Sequence, residues 1–385
     1  METLRQSLGD KSLLSRSLER SDLEEAYVRL RELKSEDIQT ILISLFEDRA
    51  KDIEPKDLLR QATGSRFLDP SPVSQRELIS FNGVAIDVLP ENFEAIQLSP
   101  LGPLGTNAVL CGLSQKTVIA TSRCNEVISD ASPILAIEYA KRRRKNQKGQ
   151  INFFTSERVV RAQNFDVKGF TSHFQALFLF SADKFEGRWE LIERMLEEHI
   201  GYYLRLIYEL SVKDKYSVKK VTVSLSNLMI LEVLISKYKI DRKKLMTNTQ
   251  TVGFDVFKDY DIKFPNKLKT TETDGLESLT QNHLEAIGIK KPFGFLLRNC
   301  TTMIGRLVIK YPSVNFDFDF SRIAGIGYYD DLCFKITAEN EDGELYPLAD
   351  GGFTDWTRQL VQSEKEICIS SGFGAELFIN KFKKK

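Results

Sequence analysis

The sequence predicts an α+β fold in which helices flank a mostly antiparallel sheet, with a helical extension before it. Apolar and polar residues alternate from 314 to 321, which is typical of a strand with one buried face. Apolar residues recur at helical spacing between residues 23 and 48, and again between 187 and 210. Strand and helix periodicities therefore occur in one chain, which indicates the α+β class.

The composition is that of an ordinary globular protein. Of 385 residues, 42% are hydrophobic and 28% are charged, which is enough for one large core or two. The 54 basic and 54 acidic residues cancel, so no overall positive field attracts nucleic acid. The five cysteines form no C-x-x-C pair, and no stretch is apolar enough for a signal peptide or a membrane span. We therefore expect a soluble cytoplasmic protein.

Residues 1–70 are predicted to form a helical extension. Polar residues that favour a helix start occur at Ser21 and Ser35, each followed by acidic residues. The extension is interpreted either as a packing or oligomerisation cap or as an arm that binds a dedicated partner. A turn-rich stretch at 64–72 ends it, and the main domain is predicted to span residues 75–385.

The main domain is predicted to open with a helix and a strand at 93–100, which ends in a proline. A second strand is predicted at 116–123. The next helix begins near Ser132, because a proline follows there, and it ends in the basic run 141–148. This run is either a solvated helix end, which the helix dipole favours, or a contact for an acidic partner or nucleic acid. The second interpretation assigns that contact to Arg142, Arg143 and Arg144.

The middle of the chain is predicted to contain a strand, loop and strand at 151–180, followed by a long helix at 187–210. A strand and a buried helix are predicted at 219–240. Residues 241–290 are predicted to be an insertion, whose first part is polar and irregular. Two helices then lead back to the alternating strand at 314–321.

The last part of the chain is predicted to add strands at 328–339 and 344–349. Asp350, Gly351 and Gly352 are predicted to form a tight turn, because these residue types favour turns. A short helix at 354–361, a strand from residue 365 and a C-terminal helix complete the domain.

Three stretches near the C-terminus resemble the histidyl-tRNA synthetases of class II, in the order in which that family has them. Arg322–Phe334 resembles the family's tyrosine signature, Gly351–Asp355 resembles its G-G-R-Y-D segment, and Gly372–Leu377 resembles its motif 3. The motif-like regions, including those that resemble motifs 1 and 2, are residues 76–100, 151–180, 322–334 and 365–384. The resemblance implies a class II synthetase-like main domain and a homodimer formed through motif 1.

The resemblance also implies a ligand site. Arg161 falls on the motif 2 arginine, which in the family holds the α-phosphate of ATP and the substrate carboxylate, and Gln163 stands where the family has glutamate. Either Glu126 or Asp130 replaces the acid of the segment that holds the amino acid. The candidate ligand- or phosphate-binding residues are Arg161, Gln163, His173, Arg123, Tyr328, Tyr329, Gly351, Gly352, Asp355, Gly374 and Glu376. The glycines are alternatively explained by backbone conformation, and the tyrosines as plain strand residues.

Several groups that handle ATP in the family are absent here. Leu377 occupies the position of the motif 3 arginine, and Ala324 that of the arginine before the signature glycine. Asp330 and Asp331 replace Thr-Gly and are predicted to place two carboxylates near the triphosphate, which would repel it. We also expect no C-terminal anticodon-binding domain. Charging of tRNA is therefore not expected.

Three functional hypotheses follow from this resemblance and its losses. The favoured one is a non-catalytic paralogue that binds a small ligand, such as an amino acid, and regulates a partner, as in the similar regulatory subunit of ATP phosphoribosyltransferase. The second is a ligase that activates a small carboxylate with Mg-ATP, and the third is a tRNA- or RNA-binding accessory protein. No other cofactor is expected, and no metal, because His173, His199 and His283 are far apart in the sequence.

Overall fold

The fold is described from a computed structural model. The described residues are 13–163, 171–187, 189–212, 215–242, 245, 256–262, 264–270 and 281–384. Their strands are β1 (Glu94–Ala95), β2 (Leu101–Pro103), β3 (Asn125–Val127), β4 (Ile151–Val160), β5 (His173–Lys184), β6 (Lys220–Asn227), β7 (Lys267–Lys269), β8 (Val314–Asp319), β9 (Leu332–Glu339), β10 (Leu345–Thr354) and β11 (Glu366–Phe373).

Helices precede, connect and follow these strands. They are α1 (Leu13–Ser21), α2 (Glu24–Glu32), α3 (Ser35–Lys51), α4 (Pro55–Thr63), α5 (Gln75–Asp87), α6 (Thr106–Leu110), α7 (Ser132–Arg144), α8 (Glu190–Val212), α9 (Leu228–Lys237), α10 (Val256–Asp259), α11 (Gln281–Ile287), α12 (Lys290–Lys310), α13 (Trp356–Val361) and α14 (Ala375–Phe382). No helix of the described residues combines the length and the apolar character needed to cross a membrane.

One mostly antiparallel sheet organises the main domain. In the described residues its strand order is β1-β4-β5-β11-β10-β9-β6-β8-β7. The pairs β1–β4 and β6–β8 are parallel, and the other pairs in this sheet are antiparallel. The predicted α+β class, with a mostly antiparallel sheet flanked by helices, is confirmed.

The sheet separates two hydrophobic cores, and β5 shows how the sequence divides between them. Leu177 and Leu179 pack into the large core beneath α8 and α12. Ala176 and Phe178 point the other way, into a smaller core that contains residues of α7 and α13. Successive residues of a strand face opposite sides, so an almost wholly apolar strand is buried on both faces.

The tight turn predicted at Asp350–Gly352 is wrong, because β10 runs through these residues to Thr354. Both glycines are required by close packing instead. A Cβ at Gly351 would lie 2.7 Å from the Phe334 ring, and a Cβ at Gly352 would lie 2.6 Å from Cys333 Cβ. Neighbouring strands bring these side chains so close that the strand can continue only without a Cβ.

The predicted strand at 116–123 is also wrong. A 3₁₀ turn occupies Gln115–Thr117, and Ala120 forms one isolated bridge with Glu126. Glu126 organises this segment: its buried carboxylate accepts hydrogen bonds from Gln115 Nε2 at 2.8 Å and from Gly105 N at 2.8 Å. The backbone is thereby folded around a carboxylate rather than extended. The strand predicted at 93–100 is reduced to β1.

Within the predicted extension, residues 1–70, the described residues form α1–α4, and residues 1–12 lie outside the described residues. Within the predicted insertion, the described residues form β7, α10 and α11, and its remainder lies outside the described residues.

A buried histidine joins α8 to the sheet. His199 contacts Ser181 Oγ through Nε2 at 3.0 Å and Ser371 Oγ through Nδ1 at 2.7 Å. The Tyr203 hydroxyl lies 2.9 Å from the same Ser371 Oγ. Complete burial lowers the pKa of His199 to about 3, so the imidazole is neutral in the folded protein.

Replacing His199 by glutamine is expected to remove a pH dependence of stability. The imidazole stays neutral in the folded protein, whereas the unfolded chain takes up a proton below about pH 6.5. As the pH falls from about 6.5 to about 4.5, the wild type should lose stability relative to His199→Gln by about 1.4 kcal/mol per pH unit. Urea unfolding at several pH values in this window measures the difference.

Ser181→Ala is the matched control, because it removes a hydrogen-bond partner of His199 without removing a titratable group. Its stability difference from the wild type should stay constant across the window. A constant difference for His199→Gln as well would contradict the assignment of a neutral buried imidazole.

Candidate functional site

A cavity of about 530 Å³ opens on the sheet face that carries the smaller core. Strands β5, β10 and β11 form its floor, and the loop before β9 forms one wall. Its charged and amide-bearing lining residues are Asp130, Arg161, Gln163, Arg322 and Asp350. Its volume lies in the range of small-molecule sites in proteins.

Arg161 directly follows the last residue of β4 and lines the cavity. Its Nε donates to the Ser129 carbonyl at 3.1 Å, and its guanidinium lies over the Phe174 ring, 5.2 Å from the centroid. These contacts fix the plane of the guanidinium. Its two terminal nitrogens make no hydrogen bond to the described residues, so they are available to an anionic group.

Asp130 also lines the cavity and lies two residues before the start of α7. Its Oδ2 accepts a hydrogen bond from the Tyr328 hydroxyl at 2.7 Å, and its Oδ1 accepts one from Ser132 N at 2.8 Å. Burial, followed by the charge of Asp130, raises the pKa of Tyr328 well above its ordinary value. Tyr328 is therefore a fixed donor, and Asp130 retains lone pairs for a cation.

Arg322 and Asp350 form an ion pair at the base of the loop. Arg322 Nη2 donates to both Asp350 oxygens, at 2.8 and 2.7 Å, and its Nε donates to the Ala324 carbonyl at 2.8 Å. Burial opposes the charge of Arg322, but Asp350 outweighs this and raises the pKa of the guanidinium. The remaining nitrogen, Nη1, is buried and has no hydrogen-bond partner among the described residues.

Tyr329 completes this cluster. Its hydroxyl donates to Asp350 Oδ1 at 2.6 Å. Its ring fits between two glycines, because a Cβ at Gly325 would approach it to 2.5 Å and one at Gly352 to 2.8 Å. Gly325 also has φ of 96°, a conformation that other residues rarely adopt. The loop and β10 are therefore shaped around one tyrosine ring.

Solved structures with a similar fold identify the class of this architecture. A histidyl-tRNA synthetase from a Nostoc species superposes with a TM-score of 0.60 at 14% identity, over 81% of this chain and 73% of that one. The fold is that of the class II histidyl-tRNA synthetases. A histidine–tRNA ligase subunit from Alicyclobacillus acidocaldarius gives 0.58 at 13% identity, over 81% of this chain and 94% of that one.

A third similar structure carries two functions in its name. It is an ATP phosphoribosyltransferase regulatory subunit/histidyl-tRNA synthetase from Bacillus halodurans, with a TM-score of 0.56 at 15% identity, over 83% of this chain and 84% of that one. No family model and no curated protein sequence matches the chain. Identities this low establish the class II synthetase-like fold alone.

The class II fold brings some of the predicted site residues together in the cavity. The predicted residues that line it are Arg161, Gln163, Tyr328, Tyr329 and Gly374. Of the two acids proposed from the sequence, Asp130 lines the cavity, whereas Glu126 is buried in the fold of the neighbouring loop.

The other predicted site residues lie elsewhere. Gly351 and Gly352 lie within β10, Asp355 precedes α13, and Arg123 is exposed outside the cavity. His173 contacts Arg158 through Nδ1 at 2.9 Å and the Asp69 carbonyl through Nε2 at 2.7 Å. Glu376 is buried and forms an ion pair with the same Arg158. The side chain of His283 lies outside the described residues.

Asp330 and Asp331 do not line the cavity, and the expectation that they lie near a triphosphate stays a prediction. Asp330 forms an ion pair with Arg358 of α13. The Asp331 carboxylate accepts a hydrogen bond from Leu332 N, and burial raises its pKa to about 6. Their charges are therefore used within the fold.

The basic run at the end of α7 is partly neutralised by the chain's own acids. Arg142 Nη2 donates to Glu94 at 3.0 Å, and Arg143 lies 3.0 Å from Asp183. The side chain of Arg143 is 7% exposed, so it is not available to a macromolecule at the surface.

Arg322 and Asp350 are lining residues that the sequence did not predict. Asp350 is followed by two glycines, and because this composition is typical of a turn, Asp350 was not predicted to line a site. Arg322 lies two residues before Ala324, which occupies the position of the family's arginine. An arginine so close to that position was the signal available in the sequence.

Asp350→Asn is expected to lower the free energy of unfolding by about 2 kcal/mol, because it leaves the buried Arg322 without a counter-charge. The cost is below that of a fully buried pair, because the Asp350 side chain is 44% exposed. Asp130→Asn should cost about 1 kcal/mol, since Asp130 is hydrogen-bonded to neutral donors. Urea unfolding compares the two variants, and equal losses would contradict the structural role of the ion pair.

Proposed function

We propose that this chain binds a small zwitterionic ligand, such as an amino acid, and does not charge tRNA. The observation that carries this proposal is one cavity that holds both an arginine with unbonded terminal nitrogens and a carboxylate with spare lone pairs, Arg161 and Asp130. With Arg322 and Asp350, the lining has two cationic and two anionic side chains. A ligand with both charges matches this balance.

Arg161 is suited to the ligand's carboxylate. A guanidinium presents two parallel N–H groups to a carboxylate and remains charged at all physiological pH values. Its Nε already donates to the Ser129 carbonyl, and one face of its guanidinium already lies over the Phe174 ring. The two terminal nitrogens are left for the ligand. The side chain is thus oriented before the ligand arrives, which reduces the entropy lost on binding.

Asp130 is suited to the ligand's ammonium group. It is held by Tyr328 and by Ser132 N, and both of these donors are neutral. Its negative charge is therefore not cancelled by a partner, in contrast to that of Asp350. An ammonium group placed beside it would gain a charge-assisted hydrogen bond to a carboxylate oxygen.

The residues that line the cavity disfavour adenylate formation from ATP. Developing charge on pyrophosphate requires several cations. Leu377, at the position of the motif 3 arginine, packs against the large core, and Ala324 is apolar. The charge of Arg322 is already matched by Asp350. Arg161 alone would then face the triphosphate, which disfavours the ligase hypothesis.

Regulation of a partner is the proposed use of such binding. One structural neighbour is named as a regulatory subunit of ATP phosphoribosyltransferase, and this chain shares its fold. Large apolar side chains are also exposed on α3 and α4, where Phe46 is 55% and Leu59 is 72% exposed. Exposed apolar groups of this kind favour protein contacts.

Thermal unfolding with each of the twenty amino acids, and separately with Mg-ATP, tests the binding proposal. We expect one amino acid, at a concentration well above its Kd, to raise the Tm by about 3 °C, because a ligand of the native state stabilises it by mass action. Arg161→Ala should abolish the shift. Arg123→Ala is the matched control, because it removes an exposed arginine outside the cavity and should leave the shift unchanged.

A different outcome would favour another hypothesis. A Tm increase with Mg-ATP that Arg161→Ala removes would overturn the proposal and support the ligase. Salt-sensitive binding of RNA without any amino-acid shift would support the accessory-protein hypothesis.

A homodimer through the motif 1-like region is proposed on its exposed apolar residues. Ile79 and Ile86 on α5 lie within this region and are 64% and 47% exposed. Light scattering should give twice the 44.0 kDa of one chain. The double variant Ile79→Asp, Ile86→Asp should give one chain's mass and keep the circular dichroism of the wild type, because both side chains are exposed in the single chain.

Ile309→Asp is the matched control for the dimer. Ile309 is 84% exposed on α12, outside the motif 1-like region, and its replacement should not change the mass. A wild-type mass of one chain would contradict the dimer.

A further inference from the structure

Hydrogen bonds from Arg66 attach the segment after α4 to the rim of the cavity. Its Nη1 donates to the Gln163 carbonyl at 2.9 Å and to Ser172 Oγ at 3.0 Å, and its Nη2 donates to the Ala162 carbonyl. The three acceptors lie on both sides of the connection between β4 and β5. One side chain therefore ties the two strand ends together.

The acceptors of Arg66 are the immediate neighbours of the proposed anion site. Ala162 directly follows Arg161, and Gln163 lines the cavity with it. Arg161 N donates to the Ser172 carbonyl at 2.7 Å, so the backbone of Arg161 depends on the same two strand ends. A shift of these ends would move the guanidinium that is aimed into the cavity.

A second contact holds the same segment three residues later. The Asp69 carbonyl contacts His173 Nε2 at 2.7 Å, and His173 Nδ1 contacts Arg158 at 2.9 Å. His173 and Arg158 belong to β5 and β4. The segment from Arg66 to Asp69 is thus attached to both strands at their ends.

The helices that precede this segment are weakly packed. Across α1–α4, which lie within the described residues, Leu18 is the one buried residue. Among their contacts with the main domain, Cys124 Sγ donates to the Ser35 carbonyl at 3.7 Å. Their position relative to the sheet therefore depends strongly on the contacts of Arg66 and Asp69.

We propose that Arg66 is a positioning residue for Arg161, through which the helical extension controls the affinity of the cavity for an anionic group. This proposal rests on the ligand site proposed above and adds the element that regulates it. A protein bound to the extension would displace or fix Arg66, and so alter the backbone that carries Arg161. Ligand binding would in turn fix the extension, because such coupling is reciprocal.

Hydrogen exchange in the full chain without any ligand tests the positioning role. Arg66→Ala should speed exchange of the Arg161 amide about tenfold, because its acceptor, Ser172, is no longer held. Millimolar guanidinium chloride should restore slow exchange by occupying the vacated position, whereas the same concentration of sodium chloride should not. Lysine cannot form the planar set of contacts, so Arg66→Lys should remain fast.

Arg60→Ala is the matched control, because Arg60 is an exposed arginine of α4 that pairs with Asp57 of the same helix. It should leave exchange at Arg161 unchanged. Unchanged exchange in Arg66→Ala would overturn the proposal. Faster exchange in β6 to the same degree would also overturn it, because that result indicates general destabilisation.

Ligand binding provides the second readout. The amino acid that stabilises the wild type should bind about tenfold more weakly to Arg66→Ala, and guanidinium should restore its affinity. If no amino acid stabilises the wild type, the proposed function fails, while hydrogen exchange still decides whether Arg66 positions Arg161.

Discussion

The ion pair between Arg322 and Asp350 is the interaction on which the cavity depends. It connects the loop before β9 to the middle of β10, and the Tyr329 hydroxyl donates a hydrogen bond to the same carboxylate. A buried guanidinium is tolerated only beside a counter-charge, so the loop has one favourable position on the sheet. That position sets Tyr328 against Asp130 and closes one wall of the site. The shape of the cavity follows from one charge that could not be buried alone.

Periodicity in the sequence was sufficient to predict most of the fold, because a strand or helix with one buried face repeats its apolar residues at a fixed spacing. It failed where the spacing was set by neighbours distant in sequence. Asp350, Gly351 and Gly352 have the composition of a turn, yet they form a strand because Phe334, Cys333 and Tyr329 occupy the space of their missing side chains. Nothing local to these residues distinguishes the two cases.

The lining of the cavity was predicted only in part, because some of its residues are placed by partners distant in the sequence. Arg161 and the two tyrosines were recognised because they stand at fixed distances within motifs. Arg322 and Asp350 were missed because their pairing spans 28 residues and depends on the path of a loop with left-handed glycines. Asp330 pairs with Arg358 of α13, which follows two strands later in the sequence. Ion pairs between distant segments determine which charges reach the cavity, and a single sequence does not reveal them.

The adjacent glycines of β10 have a consequence for how the two sides of the sheet communicate. Gly351 faces Phe334 and the large core, while Gly352 faces Tyr329, whose ring lines the cavity. Over these two residues the backbone of β10 lies between Phe334 and Tyr329, with no side chain of its own to absorb a change in volume. Interiors this closely packed transmit small displacements rather than damping them. We therefore expect a substitution of Phe334 in the large core to shift Tyr329 and so to change the shape of the cavity.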